Sequence, residues 1–320
     1  MGNISDKNKE GQDRAFHKLA VITLSATLLL IAVGSMVRVS GAGLGCPDWP
    51  TCWGCWIPPS DVSKIDAEKY DISQFNAAKM WIEYANRMVG VTIGFLVLAT
   101  FVKSFRYAQS SPPVFWGSTA AFLLVIFNGW LGGQVVKSGL KPGIITLHMG
   151  LAVAQALALI WVVHLTRTES RPTPGSGKLQ YLVVALLFVT LVQLLLGTQV
   201  REFIDFHIKD GTLPRSEWIP SLNQQDHLHR FLSWFVAGVS ILLVQRTWNF
   251  PKDSATRKLA SWILGLVVVE ILVGIAMAYN GMPPPAQVLH LLVSAGMVCL
   301  QFMLLLECMD SHVADATPTD

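Results

Sequence analysis

Polar residues, three of them histidines that can bind metals, recur in the two halves of this chain at a nearly constant spacing. Asn86-Arg87 recurs as His229-Arg230 at an offset of 143, and His148 recurs as His290 at an offset of 142. Side chains at equal depth on facing helices of a bundle can hold a planar cofactor, and imidazole is a common axial ligand of haem iron. We therefore predict that His229 and His290 form a bis-imidazole haem site. The simpler alternative is that each histidine is hydrogen-bonded in a helix interface.

Acidic residues stand one helical turn before two of these positions. Glu83 precedes Asn86 by one turn, and Asp226 precedes His229 in the same way, so each pair shares a helix face. A carboxylate beside a cofactor can accept a proton or stabilise a developing positive charge. The same spacing equally allows each carboxylate to pair with a nearby arginine, and the sequence leaves both roles open.

Four arginines are placed to meet the carboxylates of a haem. Arg87 and Arg230 lie within apolar segments, where each costs about 2.5–3.5 kcal/mol unless it is paired or reaches the interface. Guanidinium binds carboxylate through two parallel hydrogen bonds, so haem propionates are the predicted partners, with lipid headgroups as the alternative. Arg38 and Arg201, at the outer ends of the first and fifth apolar segments, are equally placed for propionates, but the membrane interface explains them more easily.

Another repeated motif places an acid inside the membrane. Asn128-xxx-Gly132 recurs as Glu270-xxx-Gly274, again at an offset of 142, so Glu270 corresponds to Asn128. Gly90-xxx-Gly94 and Gly129-xxx-Gly133 are motifs that let helices approach closely. These two motifs predict helix packing rather than a binding site.

The elements that must position these residues are membrane-spanning helices. The 320-residue chain is 52% hydrophobic and 14% charged, with a mean hydropathy of +0.46, whereas soluble domains carry about 25% charged residues. Eight apolar stretches can cross about 30 Å of hydrocarbon, and only helices satisfy the backbone of so many separate spans of this length. The predicted fold class is therefore all-α integral membrane, and a net charge of +3 gives no reason to expect a nucleic-acid partner. The predicted spans lie near residues 18–39, 80–102, 114–136, 144–165, 179–200, 226–246, 258–279 and 287–309.

Basic residues orient these spans. The short segments before span one and after spans two, four and six are rich in Lys and Arg, which predicts that these segments and both termini are cytoplasmic. The first apolar run, Leu19 to Val37, is too long for a cleaved signal peptide and is predicted to be a retained anchor. Acidic residues in the leader argue against a mitochondrial transit peptide, so the predicted location is a bacterial plasma membrane.

The chain is predicted to divide into two pseudo-symmetric four-helix units, 1–170 and 171–320. Residues 168–177 form a Pro/Gly/Ser/Arg-rich stretch that is typical of a linker. Each unit has an even number of spans, so both are expected to have the same orientation in the membrane. Two long loops, roughly 40–79 and 201–225, are expected on the outer side.

Three cysteines, Cys46, Cys52 and Cys55, fall in the first of these outer loops. The outer side of a bacterial membrane is oxidising, so one disulfide is expected and the third thiol is left over. Cys52-x-x-Cys55 is either a redox pair or part of a structural staple, and Trp56 stands where a c-type haem site would require histidine. Which two of the three cysteines are paired stays open at this level.

Two motifs resemble the haem A synthase family of cytochrome oxidase assembly: GSMVRVSGAGLGCPDWPTC (Gly34–Cys52) and EYANR (Glu83–Arg87). The duplicated eight-span layout extends the resemblance across nearly the whole chain. The resemblance implies oxidation of the C8 methyl of haem O to a formyl group by successive hydroxylations. It also implies a disulfide between Cys46 and Cys52, leaving Cys55 as an extra thiol.

The resemblance assigns roles to the two halves. The C-terminal half would hold a haem b cofactor through His229 and His290, with Arg230 and Arg201 placed for its propionates. The N-terminal half would hold the substrate haem O, with His148 as an iron ligand and Glu83 as the acidic group near the reacting methyl. The residues Asn86, Arg87 and Arg38 complete the predicted contacts of the substrate haem.

This chain departs from the family pattern at Asn86, where the family commonly has histidine. His148 is then the only evident imidazole ligand for the substrate haem, and the Asn86 amide can hold a water molecule. A non-catalytic b-type haem protein, serving in electron transfer or as a haem chaperone, is the main alternative, and a transporter is a third. A haem O synthase is the expected supplier of substrate, an unidentified protein is the expected electron donor, and exposed glycine-rich faces permit a homo-oligomer.

Overall fold

The computed structural model describes residues 4–167, 177–211 and 224–316, together with residues 214, 217 and 221. Apart from an isolated β-bridge, the regular elements of these residues are helical. Eight helices are long and apolar enough to cross a membrane, and each predicted span lies within one of them. The all-α, eight-span prediction is confirmed, and the chain is a multi-pass membrane protein. The helices are α1 (Ile4–Val39), α2 (Ala77–Ser104), α3 (Pro112–Lys137), α4 (Pro142–Leu165), α5 (Gly177–Asp210), α6 (Gln224–Thr247), α7 (Ala255–Tyr279) and α8 (Pro284–Ala316).

Local signals set several helix ends. The side chain of Asn76 accepts a hydrogen bond from the backbone N–H of Lys79 at 3.0 Å and so caps α2. Proline stands in the first turn of α3 and of α4, where its missing N–H has no helical partner to lose. The predicted loop 201–225 is partly wrong, because α5 continues to Asp210. The thickness of the hydrocarbon layer sets the minimum length of a spanning helix, but the helix can continue beyond that layer.

The structure contains two compact units, 1–168 and 169–320. In the first unit, α1 packs against α2 and α4, and α3 packs against the same two helices. In the second unit, α5 and α7 each pack against α6 and α8. Within each unit the second and fourth helices therefore lie at opposite corners of a four-helix ring. The predicted linker 168–177 falls almost entirely outside the described residues.

The outer loop between α1 and α2 is folded around a disulfide between Cys46 and Cys52, which confirms the predicted pair, while Cys55 is a free, half-buried thiol. Trp53 is buried and its indole N–H donates to the carbonyl of Gly45 at 2.8 Å. At Gly45 a Cβ would lie 2.4 Å from the carbonyl oxygen of Lys79. Only glycine allows the loop to lie this close to the start of α2.

The prediction that both glycine motifs let helices approach closely is wrong for most of their members. A Cβ built on Gly90, Gly94 or Gly129 would meet no atom within 4 Å. Only Gly133 is in close contact, where a Cβ would lie 2.8 Å from the indole of Trp49. Glycine permits a close approach but does not create one, so the motif alone does not identify the packed face.

Candidate functional site

The two histidines predicted as a pair face each other in the second unit. His229 lies on α6 and His290 on α8, and the centroids of their rings are 6.4 Å apart. Each ring lies against a glycine of a neighbouring helix. A Cβ on Gly197 of α5 would be 3.3 Å from Cε1 of His229, and one on Gly274 of α7 would be 3.6 Å from Cε1 of His290. Both helices next to the pair thus leave room for an imidazole.

The spacing of these rings fits a metal held between them. A metal ion bound by two opposed imidazoles, at about 2 Å from each nitrogen, separates the ring centroids by about 6–6.5 Å. The Nδ1 atoms of both rings are buried and have no hydrogen-bond partner among the described residues. The pair lies between opposite corners of a helix ring, which is where bundles hold planar cofactors. The residues of this unit therefore fit a haem with two axial histidines.

Arg230 and Arg201, the arginines predicted for this half, both have partners within the protein. Arg230 is ion-paired with Asp226 at 2.8 Å, although its side chain is 49% exposed. Arg201 is ion-paired with Asp205 at 2.8 Å and donates a hydrogen bond to the side chain of Gln287 on α8. Their contacts with haem propionates stay a prediction.

The first unit repeats this arrangement with one imidazole fewer. His148 lies on α4, and a Cβ on Gly132 of α3 would be 3.3 Å from its Cε1, as Gly274 lies beside His290. Asn86 lies on α2, at the opposite corner, and its Oδ1 is buried without a partner in the described part of the chain. Gly34 of α1 corresponds to Gly197, and a Cβ there would meet no atom within 4 Å. The space that an imidazole occupies in the second unit is therefore open beside Asn86.

Glu83 is joined to the outer loop and to Arg87. The Glu83 carboxylate, which is only 5% exposed, accepts the backbone N–H of Cys46 at 2.8 Å and pairs with the Arg87 guanidinium at 2.5 Å. Arg87 also donates to the carbonyl oxygens of Asp48 and Thr51, each at 2.8 Å, and of Cys46 at 3.2 Å. The pairing with an arginine that the sequence left open is therefore present. Together the two side chains fasten the disulfide loop to the outer end of α2.

The remaining predicted residue of this unit, Arg38, contacts the Sδ of Met149 through Nη1 at 3.6 Å, next to His148 in the sequence. The residues that sequence reasoning missed are the glycines beside the imidazoles. Gly132 and Gly274 belong to the repeated motifs Asn128-xxx-Gly132 and Glu270-xxx-Gly274, but the repeat alone does not indicate that these glycines face an imidazole. Gly197 escapes detection because its offset from Gly34 is 163 rather than 142 or 143.

The open space beside Gly34 leads to a prediction for Asn86. If the second unit holds one haem as predicted, Asn86→His is expected to raise the ratio of bound haem to protein from about one towards about two, because it supplies a second imidazole in the first unit. The ratio is measured from the pyridine haemochrome of the purified protein. Asn86→Leu adds comparable bulk without a ligand and is expected to leave the ratio unchanged. An unchanged ratio in Asn86→His would contradict the view that the first unit has room for a paired haem site.

Fold and site together define a multi-pass membrane protein whose second unit can hold a planar metal cofactor between two imidazoles. The family model described as cytochrome oxidase assembly protein matches residues 17–302. The chain belongs to this family.

Named relatives come from several bacteria, and each of the following is called "Heme A synthase". The protein of Shewanella oneidensis is 32% identical over 186 residues, which cover 55% of this chain and 54% of that protein. The protein of Paracoccus denitrificans is 25% identical over 333 residues, covering 90% of this chain and 86% of the relative. That of Shouchella clausii is 25% identical over 283 residues, covering 83% and 88%. The similarity to the last two extends over most of this chain.

Proposed function

We propose that this protein is a haem A synthase. It is a membrane oxidoreductase that converts the C8 methyl of haem O to a formyl group by successive hydroxylations, for the assembly of cytochrome oxidase. Membership of the family and the names of the bacterial relatives support this function. The observation that carries the proposal is the pair His229 and His290, whose centroid separation of 6.4 Å suits a metal held between two imidazoles.

In this proposal the second unit holds the cofactor, haem b. His229 and His290 bind its iron from opposite corners of the helix ring, and Gly197 and Gly274 give their rings room. Arg230 and Arg201 are placed for its propionates. The bound haem b supplies one-electron redox chemistry. The surrounding apolar helices hold the site away from water.

The first unit holds the substrate. His148 binds the iron of haem O, and Asn86, on the opposite helix, leaves the other side without an imidazole. Glu83 accepts a proton near the reacting methyl. A buried carboxylate can act as a base in this way when a neighbouring side chain fixes its position. Arg87 fixes it through the 2.5 Å ion pair. Arg38 is the proposed contact for a propionate of the substrate, because the terminal N–H groups of Arg87 are already donated to Glu83 and to the outer loop.

The proposed location is the plasma membrane of a bacterium, with both termini in the cytoplasm. A haem O synthase in the same membrane supplies the substrate. A separate electron donor regenerates the active state, and copies of the chain can associate in the membrane.

Co-expression with a haem O synthase, in a host that lacks haem A, tests the function directly. Extracted haems are separated by chromatography and identified by mass, with haem O synthase alone as the control. A formyl or hydroxymethyl haem found only in the presence of this chain is the expected result. If the chain is loaded with haem but only haem O and haem B are recovered, the protein is a non-catalytic b-type haem protein instead.

A further inference from the structure

Glu270 is an acidic side chain within a membrane-spanning helix, α7, and it is not one of the residues that hold the cofactor or the substrate in the proposed function. Its side chain is 14% exposed. One carboxylate oxygen, Oε1, accepts a hydrogen bond from the hydroxyl of Ser294 on α8. The other, Oε2, is buried and has no hydrogen-bond partner in the described ranges. Acidic residues inside membranes are costly and usually functional, so this one requires a specific partner.

That partner is His290. The Oε1 atom that Ser294 holds lies 3.2 Å from Nδ1 of His290, which is at the limit of an N–H···O hydrogen bond. The two atoms are therefore in contact, although they do not form a hydrogen bond in this conformation. The His290 ring also lies close to the backbone carbonyl of Glu270, as the His148 ring lies close to that of Asn128, so the carboxylate is what the second unit adds. Ser294 is one turn beyond His290 on α8. Its hydrogen bond therefore keeps the Glu270 carboxylate next to the imidazole of His290.

The first unit lacks the carboxylate and the serine that supports it. The position equivalent to Glu270 is Asn128, and the position equivalent to Ser294 is Ala152. Asn128 is only 9% exposed, and its Oδ1 has no hydrogen-bond partner within the described residues. Helices α3 and α4 nevertheless pack against each other as α7 and α8 do. Two helices in this position can therefore pack without an acid that is hydrogen-bonded to a serine. Packing alone does not explain why the second unit has Glu270 and Ser294.

We propose that Glu270 is a positioning residue for His290 that also tunes the metal bound there. It accepts the Nδ1 hydrogen of the imidazole, which fixes the tautomer and leaves Nε2 as the ligand atom. Such an acceptor behind a metal-bound histidine orients the ring and increases its basicity. The inference rests on the proposed haem b site at His229 and His290.

The electronic consequence distinguishes this role from packing. A more basic axial ligand stabilises the oxidised metal, so Glu270 lowers the reduction potential of the haem and makes it a stronger reductant. Asn128 beside His148 provides no acid. The two units are thus expected to differ in potential for this reason, in addition to the difference between Asn86 and His229.

Spectroelectrochemical titration of the purified, haem-loaded full-length protein tests the proposal. We expect Glu270→Ala to shift the midpoint potential to a more positive value, and Glu270→Gln to shift it less, because the amide oxygen is a neutral acceptor. Ser294→Ala, which only releases the carboxylate from its support, is expected to shift the potential in the same direction and to a smaller extent. Asn128→Ala is the matched control in the first unit and is expected to leave the midpoint potential unchanged.

A role in packing alone would reduce the amount of bound haem and leave the potential of the remaining haem unchanged. Unchanged potentials in both Glu270→Gln and Ser294→Ala would overturn the proposal, even if Glu270→Ala does not fold. A wild-type protein without a b-type spectrum would instead overturn the proposed haem site. The two failures are therefore distinguishable in one preparation.

Discussion

Replacing either His229 or His290 by alanine is expected to remove essentially all of the b-type absorbance of the purified protein. The two rings face each other at a centroid distance of 6.4 Å, so in the proposed site each would hold the metal from one side, and the loss of either would leave it with a single imidazole. Among the described residues, no group of three or more His, Cys, Asp or Glu side chains could take over as a metal site. The measurement is the reduced-minus-oxidised spectrum, together with the haem content per chain.

His227→Ala is the matched control for this pair of variants. His227 lies on the same helix, shortly before His229, and its side chain is exposed. Its loss is expected to leave the spectrum unchanged. Unaltered spectra in both His229→Ala and His290→Ala would remove these residues from the cofactor site and with them the main support for the proposed function.

Glu83→Gln is expected to lower the formation of oxidised haem by about 100-fold or more, which is the range that general acid–base residues contribute. The b-type spectrum should remain, because Glu83 belongs to the first unit and the cofactor histidines to the second. Glutamine keeps an oxygen that can accept the N–H of Cys46, so the outer loop stays fastened while the carboxylate is lost. Product is measured by haem extraction and mass.

The equivalent acid of the second unit controls for a purely structural ion pair. Asp226 is buried and pairs with Arg230 at 2.8 Å, as Glu83 pairs with Arg87. Asp226→Asn is expected to lower product formation by less than about tenfold. Its partner Arg230 is 49% exposed, and ion pairs with an exposed partner contribute little to stability. Equal losses in the two variants, or full activity in Glu83→Gln, would exclude Glu83 from the chemistry.

Much of this architecture could be predicted from the sequence, for physical reasons. A spanning helix must be apolar over about 20 residues. Hydropathy alone therefore locates the membrane-spanning part of all eight helices, but it does not locate the helix ends. A duplicated unit places equivalent residues at a constant offset, so the repeat alone was enough to single out His148, His229 and His290. Helical periodicity placed Glu83 and Asn86 on one face of α2. The lengths of α1, α5 and α8 were underestimated, because a helix can continue beyond the hydrocarbon.

What the tertiary structure decided is which groups from different segments meet. Sequence spacing shows which residues share one side of a helix, but not which helix or loop packs against that side. The hydrogen bonds from Glu83 and Arg87 to the disulfide loop therefore could not be predicted from the sequence. The glycines beside each imidazole belong to neighbouring helices, and only the packing of those helices shows that they make room for a ring. The contact of Glu270 with His290 likewise joins α7 to α8. The sequence by itself determined the number of spans, the repeat and the candidate ligands, because these depend on composition and period along one chain. Their partners depend on contacts across space.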